Sequence, residues 1–432
     1  MPSEAAADAR ARLIDVRPGE WRALGWAWLY VLAMMSSYYV IRPVRDAMGI
    51  EGGVENLQWL FTGTLLAMIA INPAYAALVQ RWARERFISV TYAFFMANLL
   101  LFALALHMAD ATQRVWVGRV FFIWVSVFNL FVVSVFWALM VDVFDTAQAR
   151  RLFGLISAGA TVGAICGSAI ASGFAQHVPT TWLLLASVAL LGVAVAAVRH
   201  LSRLAPALRT ACAPHAREEA DAPIGGGLLA GVSHTLRSPY LLGICLYILL
   251  YAVTSTFLYF QQAGIVRDHF AGRAARTAFF ANVDLVVNVL TLGVQLFVTA
   301  RFLQRWGVTL TLALLPALTV LGFGVLAVAP TVAVLVTVQV LRRVGNFGFA
   351  KPTRELLFTV TTREDKYKAK PVIDTVVYRG GDQVGSWSYA LLGWLGAGPA
   401  LVALPVALLW VVNAVWLGRR QAAMAAAAPP PA

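Results

Sequence analysis

Residues 152–198 read LFGLISAGATVGAICGSAIASGFAQHVPTTWLLLASVALLGVAVAAV, a run of 47 residues without a charge. One bilayer-spanning helix takes about 20 mostly apolar residues. The run therefore holds two, with a turn at His177-Val178-Pro179-Thr180. The rest of the chain has the same character. Of its 432 residues, 60% are hydrophobic and 13% charged, and mean hydropathy is +0.73. A soluble domain carries about 25% charged residues. The fold class is therefore all-α and integral to a membrane. Disorder, a coiled coil and a secreted disulfide scaffold are excluded by the same composition. A β-barrel would need strands of about 10 residues with alternating polarity, and no such alternation occurs.

Other function classes fall away on the motifs. Cys166, Cys212 and Cys245 are scattered, as small apolar fillers are. No metal-ligand spacing, P-loop or nucleophile–base set is present, so neither a cofactor, a metal nor an enzymatic activity is expected. The net charge of +13 reads as membrane topology rather than as a nucleic-acid surface. The first 20 residues hold Arg10, Arg12 and Arg17 but no apolar core. The first hydrophobic segment is thus expected to direct insertion itself.

Twelve transmembrane helices can be laid along the chain. The first four occupy the stretch between Arg22 and Arg42, that between Glu55 and Arg81, then 87–109 and 120–141. The uncharged run supplies two, and six follow at roughly 238–262, 277–300, 308–329, 331–357, 372–396 and 399–418. The predicted organisation is a cytoplasmic arm (1–22), a six-helix bundle (23–198), a polar linker (199–237), a second six-helix bundle (238–418) and a disordered Ala/Pro tail (419–432). With both termini inside, 27 of the 34 Lys and Arg fall on cytoplasmic segments, which sets the orientation.

An internal repeat relates the halves. Gln80-Arg81-Trp82 follows span 2 and Gln304-Arg305-Trp306 follows span 8. Gly163, Gly167 and Ser168 match Gly381, Gly385 and Ser386 at a constant offset of 218. Parallel six-helix halves with short basic loops at equivalent points resemble the major facilitator architecture, in which the halves rock about a midplane cavity.

Ionisable groups at membrane depth mark candidate sites, because lipid does not solvate them. Arg42, Arg45 and Asp46 share a face at the outer end of helix 1. Asp284, Asn288, Thr291, Gln295 and Thr299 form a stripe on helix 8, expected to wall a solvated cavity. On helix 10, Arg342 and Arg343 begin about 17 Å into the span at 1.5 Å per residue, where at least one should meet an anion or a carboxylate. Lys351, Arg354 and Glu355 follow. Arg343 and Arg354 are 11 positions apart and nearly eclipsed in a regular helix, flanked by Asn346 and Phe347. Asp374, Arg379 and Asp382 lie on helix 11, after the charge run from Arg363 to Lys370. Seven positive and five negative groups favour an anionic solute, and arginine suits bidentate contact with carboxylate or phosphate. Tyr38, Tyr39, Phe347 and Tyr378 could stack a flat ring.

At these clusters the sequence resembles the nucleotide transporters, the ATP/ADP antiporters of plastids and intracellular bacteria. The carriers of the resemblance are Ile41-Arg42-Pro43-Val44-Arg45-Asp46, Phe136-Trp137-Ala138 with Asp142 and Arg150-Arg151, Lys351-Pro352-Thr353-Arg354-Glu355, and Tyr367-Lys368-Ala369-Lys370-Pro371-Val372-Ile373-Asp374. The chain departs from that family at Lys351, where the family tends to be acidic, and at Gly380-Gly381-Asp382, where it has a basic element.

The resemblance implies a secondary transporter of an anionic solute, with nucleotide exchange first, in a bacterial inner membrane. Substrate binding is expected from Arg42, Arg45, Arg343, Asn346, Lys351, Arg354 and Arg379. Coupling and gating are expected from Asp46, Asp284, Asn288, Glu355, Asp374 and Asp382. Glu355 and Asp46 would pair with the arginines when the site is empty. Two other readings are proton-coupled transport of another organic solute, with Asp284, Glu355 or Asp382 titrating, and a non-transporting membrane sensor. The expected partners are a small anion and the lipid bilayer, with no nucleic acid and a monomeric state.

Overall fold

The computed structural model describes residues 16–17, 19–81, 84–144, 146–210, 235–361, 369–370 and 372–427. Most of the N-terminal arm, the linker core 211–234, the run 363–368 and the end of the tail lie outside the described residues.

The described elements are helical. They run α1 (Trp21–Glu51), α2 (Leu57–Arg81), α3 (Arg84–Met108), α4 (Ala111–Val143), α5 (Thr146–Phe174) and α6 (Thr180–Thr210). Then come α7 (Pro239–His269), α8 (Arg273–Phe297) and α9 (Thr299–Val328). Helix α10 is Val332–Gly345 carried on through a π turn, Asn346–Ala350, into Lys351–Leu357. Helix α11 opens with a second π turn, Ile373–Val377, and continues as Tyr378–Trp394, and α12 is Ala400–Ala427. Inside α9, Gly307 adopts φ +71, so the short piece from Thr299 is set off from the long one that follows. Among the described residues, eleven helices are long and apolar enough to cross a membrane. The remaining one is α11, whose regular part is 17 residues long and carries Arg379, Asp382, Gln383 and Ser386. The order of these elements follows the helices laid along the sequence.

The chain divides into two compact units, one of residues 1–51, 66–221 and 272–285, the other of 52–65, 222–271 and 286–432. In the first, α1 packs against α4, α5 and α6, and α3 packs on α4 and α6. In the second, α7 packs against α11 and α12, and α9 against α10 and α12. Helices α1 and α7 are the centres of these units, with 67% of each apolar window buried. Such a helix must satisfy its polar side chains inside protein. Accordingly Ser36 donates to the Gly163 carbonyl at 3.0 Å, Ser37 and Ser187 share a hydrogen bond at 2.6 Å, and Tyr30 meets Tyr92 at 2.7 Å.

The repeated glycines make equivalent contacts. A Cβ on Gly163 would lie 2.5 Å from the Leu32 carbonyl oxygen, and one on Gly167 only 2.3 Å from that of Ser36. A Cβ on Gly381 would lie 3.1 Å from the Leu249 carbonyl oxygen, and one on Gly385 the same distance from that of Val253. Helix α5 thus meets α1, and α11 meets α7, at a close approach that the small glycines favour.

One polar knot precedes α1. Glu20 is 4% exposed. Its carboxylate accepts from both terminal nitrogens of Arg151 at 3.1 and 2.7 Å, from the Arg17 backbone N–H at 2.9 Å and from Gln148 at 3.3 Å. Burial pushes its pKa up, but these donors and the guanidinium charge outweigh burial and hold it below 4.5. The carboxylate therefore contributes stability that is present above pH 4.5 and is lost as pH falls through the lowered folded value. Glu20→Gln should remove that acid-dependent part. Melting temperatures of the two proteins are expected to differ most at neutral pH and to converge on acidification. A constant difference from neutral to strongly acidic pH would contradict this.

Candidate functional site

The charged residues resolve into three groups. At the C-terminal half of α1, the neighbouring arginines go separate ways. Arg45 turns back on its sequence neighbour and donates to one oxygen of Asp46 through Nε at 3.0 Å and Nη2 at 2.6 Å, with its guanidinium 5.0 Å from the Phe122 ring centre. Arg42 instead reaches Asp284 on α8 at 3.2 Å, lying 5.5 Å from the Tyr39 ring centre. Asp284 has no charged neighbour in sequence, and the fold supplies one. Farther along the same pair of helices, Arg273 donates to Glu51 at 2.6 and 2.9 Å. Sequence reading missed this pair, because both residues sit at helix ends where a charge is unremarkable.

The polar stripe runs along α8 to the first residue of α9. Asp284, Asn288 and Thr291 are buried. Gln295 donates to the Phe347 carbonyl at 3.1 Å and Thr299 to the Gly348 carbonyl at 2.7 Å, both on α10. Two of its five residues therefore act as polar ties between helices, which is what lipid-depth amides and hydroxyls do when a backbone acceptor is open.

The second group is Arg342, 3% exposed. Its partners are neutral. Its guanidinium donates to Thr319 at 3.2 Å, Ser255 at 2.9 Å, Thr254 at 2.9 Å and the Tyr251 carbonyl at 3.2 Å, and stands 5.2 Å from the Tyr251 ring centre. Hydroxyls on α7 and α9 satisfy its geometry without cancelling its charge. Among the described residues no carboxylate lies within 4 Å of it. Arg343, the next residue, is half-buried.

The third group lies where α10 and α11 carry their π turns. Asn346, 8% exposed, opens the first turn, and its carbonyl accepts the Lys351 N–H, a bond five residues long. That extra residue shifts the helix register by about 100°. The near-eclipse of Arg343 and Arg354 expected from a regular helix is therefore lost. Beyond the turn, Arg354 pairs with Asp374 at 3.3 Å, and Asp374 itself sits in the second π turn. Glu355 is exposed and pairs with Lys370, so the expected pairing of Glu355 with an arginine is replaced by one with lysine. Asp46, by contrast, does pair with an arginine. Arg379 reaches Asp382 at 3.1 Å as the i, i+3 spacing predicts, and Thr256 donates to the other oxygen at 3.4 Å. Lys351 is exposed, with no carboxylate within 4 Å among the described residues.

The model of the Major Facilitator Superfamily matches residues 25–367. The chain belongs to the Major Facilitator Superfamily. As a member of it, the protein is a multi-pass membrane transporter. Its sequence is similar to ADP,ATP carrier protein 2 of Chlamydia pneumoniae, 21% identical across 96% of this chain and 92% of the relative. It is 27% identical to ADP,ATP carrier protein 2 of Chlamydia trachomatis over 44% of this chain and 40% of that one.

Solved superfamily folds are similar over nearly the whole length. A bacterial homologue of the iron transporter ferroportin aligns with a TM-score of 0.62 at 10% identity, covering 93% of this chain and 98% of the other. A bacterial homologue of the lysosomal transporter Spinster aligns with a TM-score of 0.56 at 14% identity, covering 95% and 94%. At such identities the likeness concerns the fold.

Proposed function

We propose that this superfamily member exchanges an anionic solute of nucleotide type across a bacterial inner membrane by alternating access. The observation that carries the reading is the charge balance where α10 meets α11. There Lys351, Arg354 and Lys370 face two carboxylates, Asp374 and Glu355, with Lys351 exposed and without an ion-pair partner within 4 Å among the described residues. Arg342 adds a buried charge that no carboxylate among the described residues offsets by contact. Phosphate oxygens are the natural complement of such a surplus. The carboxylates stand in for the anion when it is absent, so Asp374 holds Arg354 and Glu355 holds Lys370 until a solute competes for them. The similarity over nearly the full length to one carrier named for ADP and ATP supports the same class.

The test is uptake of radiolabelled ADP into proteoliposomes. Exchange predicts that uptake rises when ATP is enclosed and ignores an imposed proton gradient. Uptake that follows the gradient, with no stimulation by internal nucleotide, would instead establish proton coupling. A protein that is folded and inserted yet moves no nucleotide under either condition would end the nucleotide reading.

A further inference from the structure

Helix α10 contains a local defect that its own sequence cannot repair. Pro352 has no N–H. In an α-helix that hydrogen would serve the Gly348 carbonyl, four residues back; in a π turn it would serve the Phe347 carbonyl, five back. Both carbonyls are instead served from the junction of α8 and α9. Gln295 Nε2 donates to Phe347 at 3.1 Å and Thr299 Oγ1 to Gly348 at 2.7 Å. The approach that allows this depends on Gly348, where an added Cβ would come within 2.7 Å of Val294 Cγ1. Phe302 packs beside it, its ring 5.1 Å from that of Phe349.

We infer that Gln295 and Thr299 are positioning residues for anion binding. By capping the carbonyls that Pro352 leaves open, they fix the π turn and with it the direction in which Lys351 and Arg354 leave α10. The π turn inserts one residue between Arg343 and Lys351, so its loss or migration would swing both cations by about 100° around the helix. The inference rests on the anion-exchange reading above for its functional half. Its structural half, the tether itself, stands without it.

The chemistry supplies its own rescue. Thr299→Val removes the donor while keeping the shape. Thr299→Ser keeps the hydroxyl. Pro352→Ala returns the missing backbone N–H and makes the tether dispensable. In the full-length protein in nanodiscs, amide hydrogen exchange across residues 344–351 should quicken about fivefold in Thr299→Val, as for one hydrogen bond lost. It should return to the wild-type rate in Thr299→Ser and in the Thr299→Val/Pro352→Ala double variant. The KM for ADP in proteoliposomes should rise in Thr299→Val with little change in maximal rate, and recover in the same two variants.

An unchanged exchange rate in Thr299→Val, or a double variant as loose as the single one, would overturn the tether. A faster exchange with an unmoved KM would overturn the positioning role. If the wild type takes up no nucleotide, the transport reading has failed, and the hydrogen-exchange pattern still decides the tether.

Discussion

Arg354→Ala is expected to bring nucleotide uptake to background in vesicles where the variant is inserted normally. Arg354 is half-buried and held by Asp374 at 3.3 Å. Losing a charge-assisted hydrogen bond to the anion costs about 1.5–3 kcal/mol, roughly tenfold to a hundredfold in binding. The loss has two parts, the missing contact to the anion and the stranded Asp374. They separate in Arg354→Ala/Asp374→Asn, which relieves the stranded carboxylate without restoring an anion contact. Folding should recover in that double variant while uptake stays at background. Arg354→Lys should give intermediate uptake, since it keeps the charge and loses the planar fork. Normal uptake by Arg354→Ala would refute a role in binding.

The largest effect on stability is expected at Arg42. Asp284 is 3% exposed and its guanidinium partner stands at 3.2 Å. Removing one member of a buried ion pair costs about 3–5 kcal/mol, whereas replacing both with apolar residues of similar volume is often close to neutral. Arg42→Leu should therefore lower the melting temperature of the detergent-solubilised protein sharply. Arg42→Leu/Asp284→Leu should regain most of the loss. A double variant that melts below both single variants would show that the pair contributes more than it costs, against this account.

These two positions also show why a site is harder to read than a fold. The identities of Arg42, Asp284, Arg354 and Asp374 were all conspicuous in the sequence, because a charge amid apolar residues is costly at any register. Their pairing was not. Arg42 and Arg45 occupy one helix face, yet one reaches Asp284 and the other closes on Asp46. Arg354 neighbours Glu355 in sequence but pairs with Asp374, twenty positions on, while Glu355 goes to Lys370. The spacing rule assumed an unbroken helix through residues 343–354, and the π turn at Asn346–Ala350 breaks it. Pro352 was visible two residues beyond the turn, but a proline alone does not say whether a helix ends, kinks or takes up an extra residue.

Length, hydrophobic composition and the uncharged run by themselves determined that this chain is a polytopic helical membrane protein. In lipid every backbone polar group must be satisfied within its own segment, and an apolar helix does so wherever it occurs. The glycine repeat at an offset of 218 likewise marked the points where α5 meets α1 and α11 meets α7, because the small glycines favour a close approach. Tertiary structure decided the partners of the charges. It gave Arg342 a cage of hydroxyls, turned part of the α8 stripe into ties to α10, and left Lys351 exposed beside a cluster already paired. Those outcomes depend on which helix faces which and on a one-residue slip in α10. Neither is encoded in any single segment, since a side chain's partner is set by helices distant in sequence.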